Sequence, residues 1–157
     1  MHRFGILAFA TIAAVPAAAQ NLRQQMFSNE TSCYARVYSA THLASHPVQQ
    51  VTAIALTPQQ RISGEERLLL RLSVTVRGTR ETYIGVGYCD DAGATVLTCG
   101  MEGDAGGFIL AAAKNGALTL TVGRNGVSFE GNADFITLEG LAGDDREFLL
   151  QPTNQCQ

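Results

Sequence analysis

The chain has 157 residues, 46% hydrophobic and 16% charged, with a formal net charge of −3. That length accommodates one compact domain with a genuine core, and mild acidity without a basic aromatic stripe argues against a nucleic-acid partner. The charge is uneven: residues 20–80 carry seven Arg against three Glu, whereas from Glu81 onward two Arg and one Lys face eleven acids, a pattern suited to opposed surface patches or a polar partner site.

In chain order, Arg3, an apolar run from Phe4 to Val15 and Ala17-Ala18-Ala19 before Gln20 form the layout of a secretory signal peptide, residues 1–19, cut after Ala19. The run is shorter than the roughly 20 apolar residues of a membrane span, so cleavage is expected and not retention as an anchor. A lipoprotein would carry Cys where Gln20 stands, so no membrane anchor is expected on the product. Cys33, Cys89, Cys99 and Cys156 all lie beyond the cut. An even cysteine count in an exported chain predicts disulfides and not thiols or zinc ligands, and the absence of CxxC removes thioredoxin-like exchange. A periplasmic or secreted location follows. Residues 20–32 read as a flexible leader, either loose or one short helical turn, before a single β domain at 33–157. Asn29-Glu30-Thr31 matches a glycosylation sequon, taken here as a chance match.

From Cys33 the pattern is β, with no long helix. Cys33 to Tyr38 alternates as a half-buried strand, Thr41 to Pro47 is a break, and Val51 to Leu56 is a strand ended by Pro58. In Leu68 to Val76 the residues Leu68, Leu70, Leu72, Val74 and Val76 share one face, and period two is decisive. Glu81–Cys89 and Thr95–Met101 follow around a turn centred near Ala94, which places Cys89 opposite Cys99 within disulfide reach. Cys33 is then left to pair with Cys156 by elimination. Asn115-Gly116 and Asn125-Gly126 are each suited to a two-residue type I′ hairpin. Pairing Lys114 with Ala117 puts Ile109, Ala111 and Ala113 on the core face opposite Val122, Leu120 and Leu118. Pairing Arg124 with Val127 adds Phe129 to that face, predicting a three-stranded meander. Ala133–Leu138 and Arg146–Gln151 are expected to pair last. The fold class is therefore all-β, about eight short antiparallel strands in a barrel-like meander, with a two-sheet sandwich as the alternative.

Chemistry-bearing clusters are few. His42 and His46 stand four apart, and on a helical turn they share a face able to pinch a metal ion. Leu43 follows the first histidine where a zinc protease needs Glu. Acids gather in glycine-rich turns at Asp90-Asp91, at Glu102 and Asp104, and at Asp144-Asp145, without the spacing of a calcium-binding loop. Tyr34, Arg36 and Tyr38 alternate onto one strand face, which, if exposed, suits stacking and charge recognition. No GxSxG elbow or free cysteine offers a nucleophile, and no cofactor motif is present. The expectation is a non-enzymatic periplasmic binding or inhibitor module for a basic protein or cationic ligand, using Glu102, Asp104, Asp144, Asp145, Tyr34 and Arg36. The alternative is metal binding at His42 and His46, with an enzyme third.

Cys99-Gly100-Met101-Glu102-Gly103-Asp104-Ala105-Gly106-Gly107-Phe108 and Asp144-Asp145-Arg146-Glu147-Phe148-Leu149-Leu150 resemble a pattern in small uncharacterised exported proteins of Gram-negative bacteria. The resemblance covers about the last third of the chain and implies export, a β fold and a disulfide, with no activity attached. The chain is also similar in size, compartment and acidity to periplasmic lysozyme inhibitors, which are small disulfide-bonded β-barrels. Their inhibitory loop motif is not evident here, so that similarity implies fold alone.

Overall fold

The alternation of Leu68–Val76 builds the wall from which the molecule is assembled. In the computed structural model, which describes residues 21–28, 31–60 and 64–156, Leu68, Leu70, Leu72 and Val74 are buried while Arg71 is exposed. The expected signal peptide, Gln20 and the sequon residues Asn29 and Glu30 lie outside the described residues. The strands are β1 (Tyr34–Val37), β2 (Val51–Pro58), β3 (Leu68–Val76), β4 (Thr82–Gly93), β5 (Val96–Met101), β6 (Gly106–Ala112), β7 (Leu118–Glu130), β8 (Phe135–Leu138) and β9 (Glu147–Pro152). Two short helices, α1 (Leu22–Met26) and α2 (Ala40–Ser45), lie before and after β1.

All pairings are antiparallel. β1 to β7 run up and down in sequence order, β9 returns between β7 and β1, and the ring of eight closes, with β8 attached to β7 outside it. A barrel is therefore formed and not a sandwich. Closure removes sheet edges from the ring, which an open meander would leave exposed. Inward-facing residues alternate with outward ones, and Phe108, Phe129, Phe148, Leu56, Leu72 and Leu120 fill the interior. Large rings fit because β4 supplies glycine opposite them. A Cβ on Gly87 would lie 2.7 Å from the Phe108 ring, and one on Gly85 would lie 2.3 Å from Met101 Cε.

Three expectations are corrected here. Asn115 and Gly116 do adopt positive φ (59° and 73°), but the amide of Ala113, not that of Lys114, bonds to Ala117 O. Ala112 therefore faces Leu118, and Ile109 faces Thr121. This one-residue slip turns Phe108 and Leu110 into the core and leaves Ile109 exposed at 42%. It buries larger apolar side chains than Ile109, Ala111 and Ala113 would have supplied, and a period-two strand allows no intermediate.

At Asn125-Gly126 there is no hairpin. β7 continues through it, and the partners of β6 jump from Val122 to Val127. Gly126, with φ of 78°, bends the strand, and β7 takes β9 and β6 on its first half, and β8 on one edge of its second with single pairings to β6 and β4 on the other. The final two strands consequently do not pair with each other. Each pairs with β7, and β9 also pairs with β1. Of the two forms open to residues 21–31, the helical turn is the one that forms. Asn21 caps α1 by accepting from Gln24 N, and Leu22 and Phe27 are buried in the core cluster.

Both disulfides have the expected partners. Cys89 sits opposite Cys99 in the β4–β5 ladder with Cα atoms 4.1 Å apart, the close spacing of a non-hydrogen-bonded pair. Cys33 bonds to Cys156 across a sequence separation of 123. Two such bonds require an oxidising environment. Replacing Cys89 and Cys99 together by Ser should cost about 2.7 kcal/mol on the chain-entropy relation, and replacing Cys33 and Cys156 about 4.9 kcal/mol. Guanidinium unfolding of the two double variants checks the order, with the longer loop giving the larger loss.

Candidate functional site

The segment between β1 and β2, expected as a break, contains α2. Ser39 caps it by accepting from His42 N at 3.1 Å. The four-residue spacing brings His42 and His46 onto one face as expected, with rings stacked at 4.1 Å and 14°. Tyr38 stacks on His42 at 4.7 Å, and the Arg36 guanidinium lies 5.1 Å above the Tyr38 ring. The result is a column from Arg36 through Tyr38 and His42 to His46.

Hydrogen bonds set the histidine tautomers. The buried Gln49 side chain donates through Nε2 to Val51 O at 2.8 Å, which turns its Oε1 toward His42 Nε2 at 2.9 Å. His42 therefore donates from Nε2. His46 donates from Nδ1 to His42 O at 2.9 Å, leaving its Nε2 as the acceptor nitrogen.

A six-residue helix is too short to hold itself together in water. Arg77 fastens this one, and Asp145 holds the start of β2 that follows it. The Arg77 guanidinium donates to Gln49 O at 2.6 Å and to His46 O at 2.9 Å, and also to Leu43 O. It thereby satisfies carbonyls at the end of α2, where a cation is favoured. Asp145 accepts from Gln50 N at 2.6 Å and Val51 N at 3.1 Å.

Across from the column, Gly143, Asp144, Arg146 and Glu147 form the second wall of a cleft of about 280 Å³, the first being Tyr38, His42, His46 and Gln49. Arg146 folds back to donate to Gly143 O at 2.9 Å. Asp144 and Glu147 are exposed. A groove of about 380 Å³ on the outer face of β1–β3 is lined by small residues such as Ala35, Ala53, Ala55 and Ser73 and carries no titratable side chain.

The expected site residues are thus partly united. His42, His46 and Asp144 share the cleft. Asp145 does not present itself to a partner: it is 8% exposed and bound to backbone amides. The face of Tyr34, Arg36 and Tyr38 turns toward the barrel interior and its end instead of outward. Tyr34 is buried, donates its hydroxyl to Met26 O at 3.0 Å and packs on Phe27, whereas Arg36 and Tyr38 are half-buried beside α2. Glu102 and Asp104 are exposed in the β5–β6 turn and do not line the cleft. Among the described residues no group of three or more His, Cys, Asp or Glu is placed to hold a metal ion. Gln49, Arg77, Arg146 and Glu147 were not legible as site residues, because each gains its role only when distant strands meet.

The fold and cleft define a small, closed, disulfide-stapled β-barrel with a polar depression at one end. No family model and no curated protein matches the sequence, and no solved structure matches the chain.

Burial pushes the Asp145 carboxyl above the ordinary range, and Asp144 adds to this, while the Gln50 and Val51 amides and Arg77 act in the opposite direction. A folded-state value raised above the unfolded one gives stability that is present below the unfolded value and lost as pH rises through the folded one. The unfolding free energy of the native protein relative to Asp145→Asn should therefore fall as pH rises from the ordinary carboxylate range through the raised folded-state value, measured by urea titration at each pH. Arg77→Ala should cost about 2–3 kcal/mol, and hydrogen exchange should accelerate in α2 while β3 and β6 amides stay protected.

Proposed function

We propose that this protein is an exported, non-catalytic binding module that recognises a basic protein or cationic ligand through the cleft between α2 and residues 143–147. The observation that carries this reading is the pairing of an aromatic wall with exposed carboxylates: the Tyr38–His42–His46 stack on one side, Asp144 and Glu147 on the other. A guanidinium or ammonium group is stabilised by charge-assisted hydrogen bonds to the carboxylates and by packing against His46 at the end of the column, since Arg36 and the neighbouring rings already cover the faces of Tyr38 and His42. Arg146 lines the same cleft with its Nε bonded to Gly143 O, and among the described residues no ion pair joins it to Asp144 or Glu147. Export is supported by the leader pattern and by the two disulfides.

The hydrogen bonds of the column favour binding over catalysis. Ser45 Oγ lies 3.1 Å from His46 Nδ1, but that nitrogen faces His42 O as a donor, and Ser45 itself donates to His42 O at 2.8 Å. A serine nucleophile needs a base whose lone pair faces its hydroxyl. Metal binding by His42 and His46 is the lesser proposal. Near-parallel rings direct their lone pairs along parallel planes, whereas a shared ion needs them to converge.

NMR titration with an N-acetyl-arginine amide probe tests the cation reading. Shifts should concentrate at His46, Asp144 and Glu147, and the double variant Asp144→Asn, Glu147→Gln should bind roughly tenfold more weakly. High salt should weaken the native protein in the same direction. Equal binding by the native protein and double variant would overturn the reading. Titration with zinc or copper, against a His42→Ala, His46→Ala variant, decides the metal proposal separately.

A further inference from the structure

A second feature of the same end of the barrel concerns backbone groups. β8 is the terminal strand of the sheet and pairs only with β7. Among the described residues, no backbone hydrogen bond is made on the other edge of Phe135–Leu138. Exposed edges are ordinarily blunted by Lys, Pro or a bulge. At four residues Phe135-Ile136-Thr137-Leu138 is short, which itself limits pairing, but it carries no Lys, Pro or bulge and is rich in strand-forming types.

The free edge opens onto a groove of about 380 Å³, with Val48, Gln50 and Val76 on one wall and Ile136, Thr137 and Leu138 on the other. Three consecutive β8 residues project to alternate faces, so a depression touching all of them follows the strand's edge. No β7 residue contributes. Val48 is 60% exposed, and Phe135 at the start of the strand is 71% exposed. Glu139 lines the groove and Glu130 and Asp134 stand exposed before β8, whereas Arg77, which follows Val76, is turned onto the carbonyls of Leu43, His46 and Gln49.

The geometry points to β8 as an acceptor edge, along which an extended segment of a basic partner protein adds as a further strand and seats its apolar side chains in the groove. Main-chain hydrogen bonds provide the attachment, and alternate side chains provide the selectivity. A second copy of the chain is a poor occupant, because two β8 edges would bring acids of the same sign together. The inference rests on the basic-partner reading above and adds a backbone-mediated mode to it. The groove and the histidine cleft both include Gly143, so one partner can reach both from a single side.

The test uses the full disulfide-bonded protein, isotopically labelled, and a six-residue peptide alternating valine and arginine. Shifts and slowed amide exchange are expected over Phe135–Glu139. A peptide N-methylated at every second residue, made in both registers, should lose binding by roughly tenfold or more in the register that blocks the edge-facing amides. Val48→Lys and Glu139→Lys, both at exposed positions, should each weaken binding roughly three- to fivefold without unfolding the protein. Equal binding of all peptides, or a concentration-dependent dimer that protects β8 without peptide, overturns strand addition. Shifts confined to His46, Asp144 and Glu147 also overturn it while leaving the cleft reading intact. No response to the peptide overturns it as well, and the arginine amide probe then decides the cleft independently.

Discussion

The bend in β7 is the constraint on which the functional end of the molecule depends. Leu118–Val122 must stay in the ring, paired with β6 on one side, and Leu118–Thr121 with β9 on the other. Val127–Glu130, still joined to the ring through Gly106 of β6 and Ile84 of β4, carries β8 in place of β9 on its other edge. The turn between these halves is tight enough that a Cβ on Gly106 would lie 2.1 Å from Gly126 O. Backbones approach this closely only where a side chain is missing. Because β8 leaves the barrel there, the chain must travel back through residues 139–146 before β9 can enter between β7 and β1. That return path is what places Asp144 and Glu147 across from α2.

The opposite wall has a different physical basis. α2 draws little from propensity or core burial, having no buried residue of its own. Its position comes from a polar group borrowed from the end of β3, Arg77, while Asp145 from the segment before β9 holds the start of β2 that follows the helix. Buried charges are retained only where they are well partnered, since removing one side leaves the other uncompensated. The histidine column is consequently tied to the closure of the whole barrel and not to local sequence. A small element held by long-range polar contacts is also the kind that opens before the surrounding sheet does.

What could be read from the residues divides along the same line. Period two in Leu68–Val76 and the even cysteine count describe local and compartmental physics, and both pointed to the observed strand and disulfides. The Asn115-Gly116 turn chemistry was equally readable, yet its register was not. An extra residue in the hairpin costs little locally, and the choice is made by whether Phe108 or Ile109 fills the barrel. Asn125-Gly126 has the same composition as a hairpin and serves as a bend, because β6 and β8 occupy the positions a returning strand would need. At the site, the helical spacing of His42 and His46 was visible in sequence. Their company was not, since Tyr38, Gln49, Asp144 and Glu147 converge only after closure. Asp145 and Tyr34 looked like surface recognition groups because sequence carries no record of which polar atoms are spent on the protein's own backbone.

The Cys33–Cys156 bond has a mechanical consequence. It links the residue before β1 to the tail after β9, so all the strands lie within one covalent ring. Tension applied to chain outside these two cysteines is borne by the sulfur bridge, and no strand is peeled from its neighbour. A processive unfoldase, which unravels its substrate by threading one end, would meet a loop it has to draw through doubled. Resistance to that kind of attack is set by the redox state of a single bond, whatever the free energy of the fold.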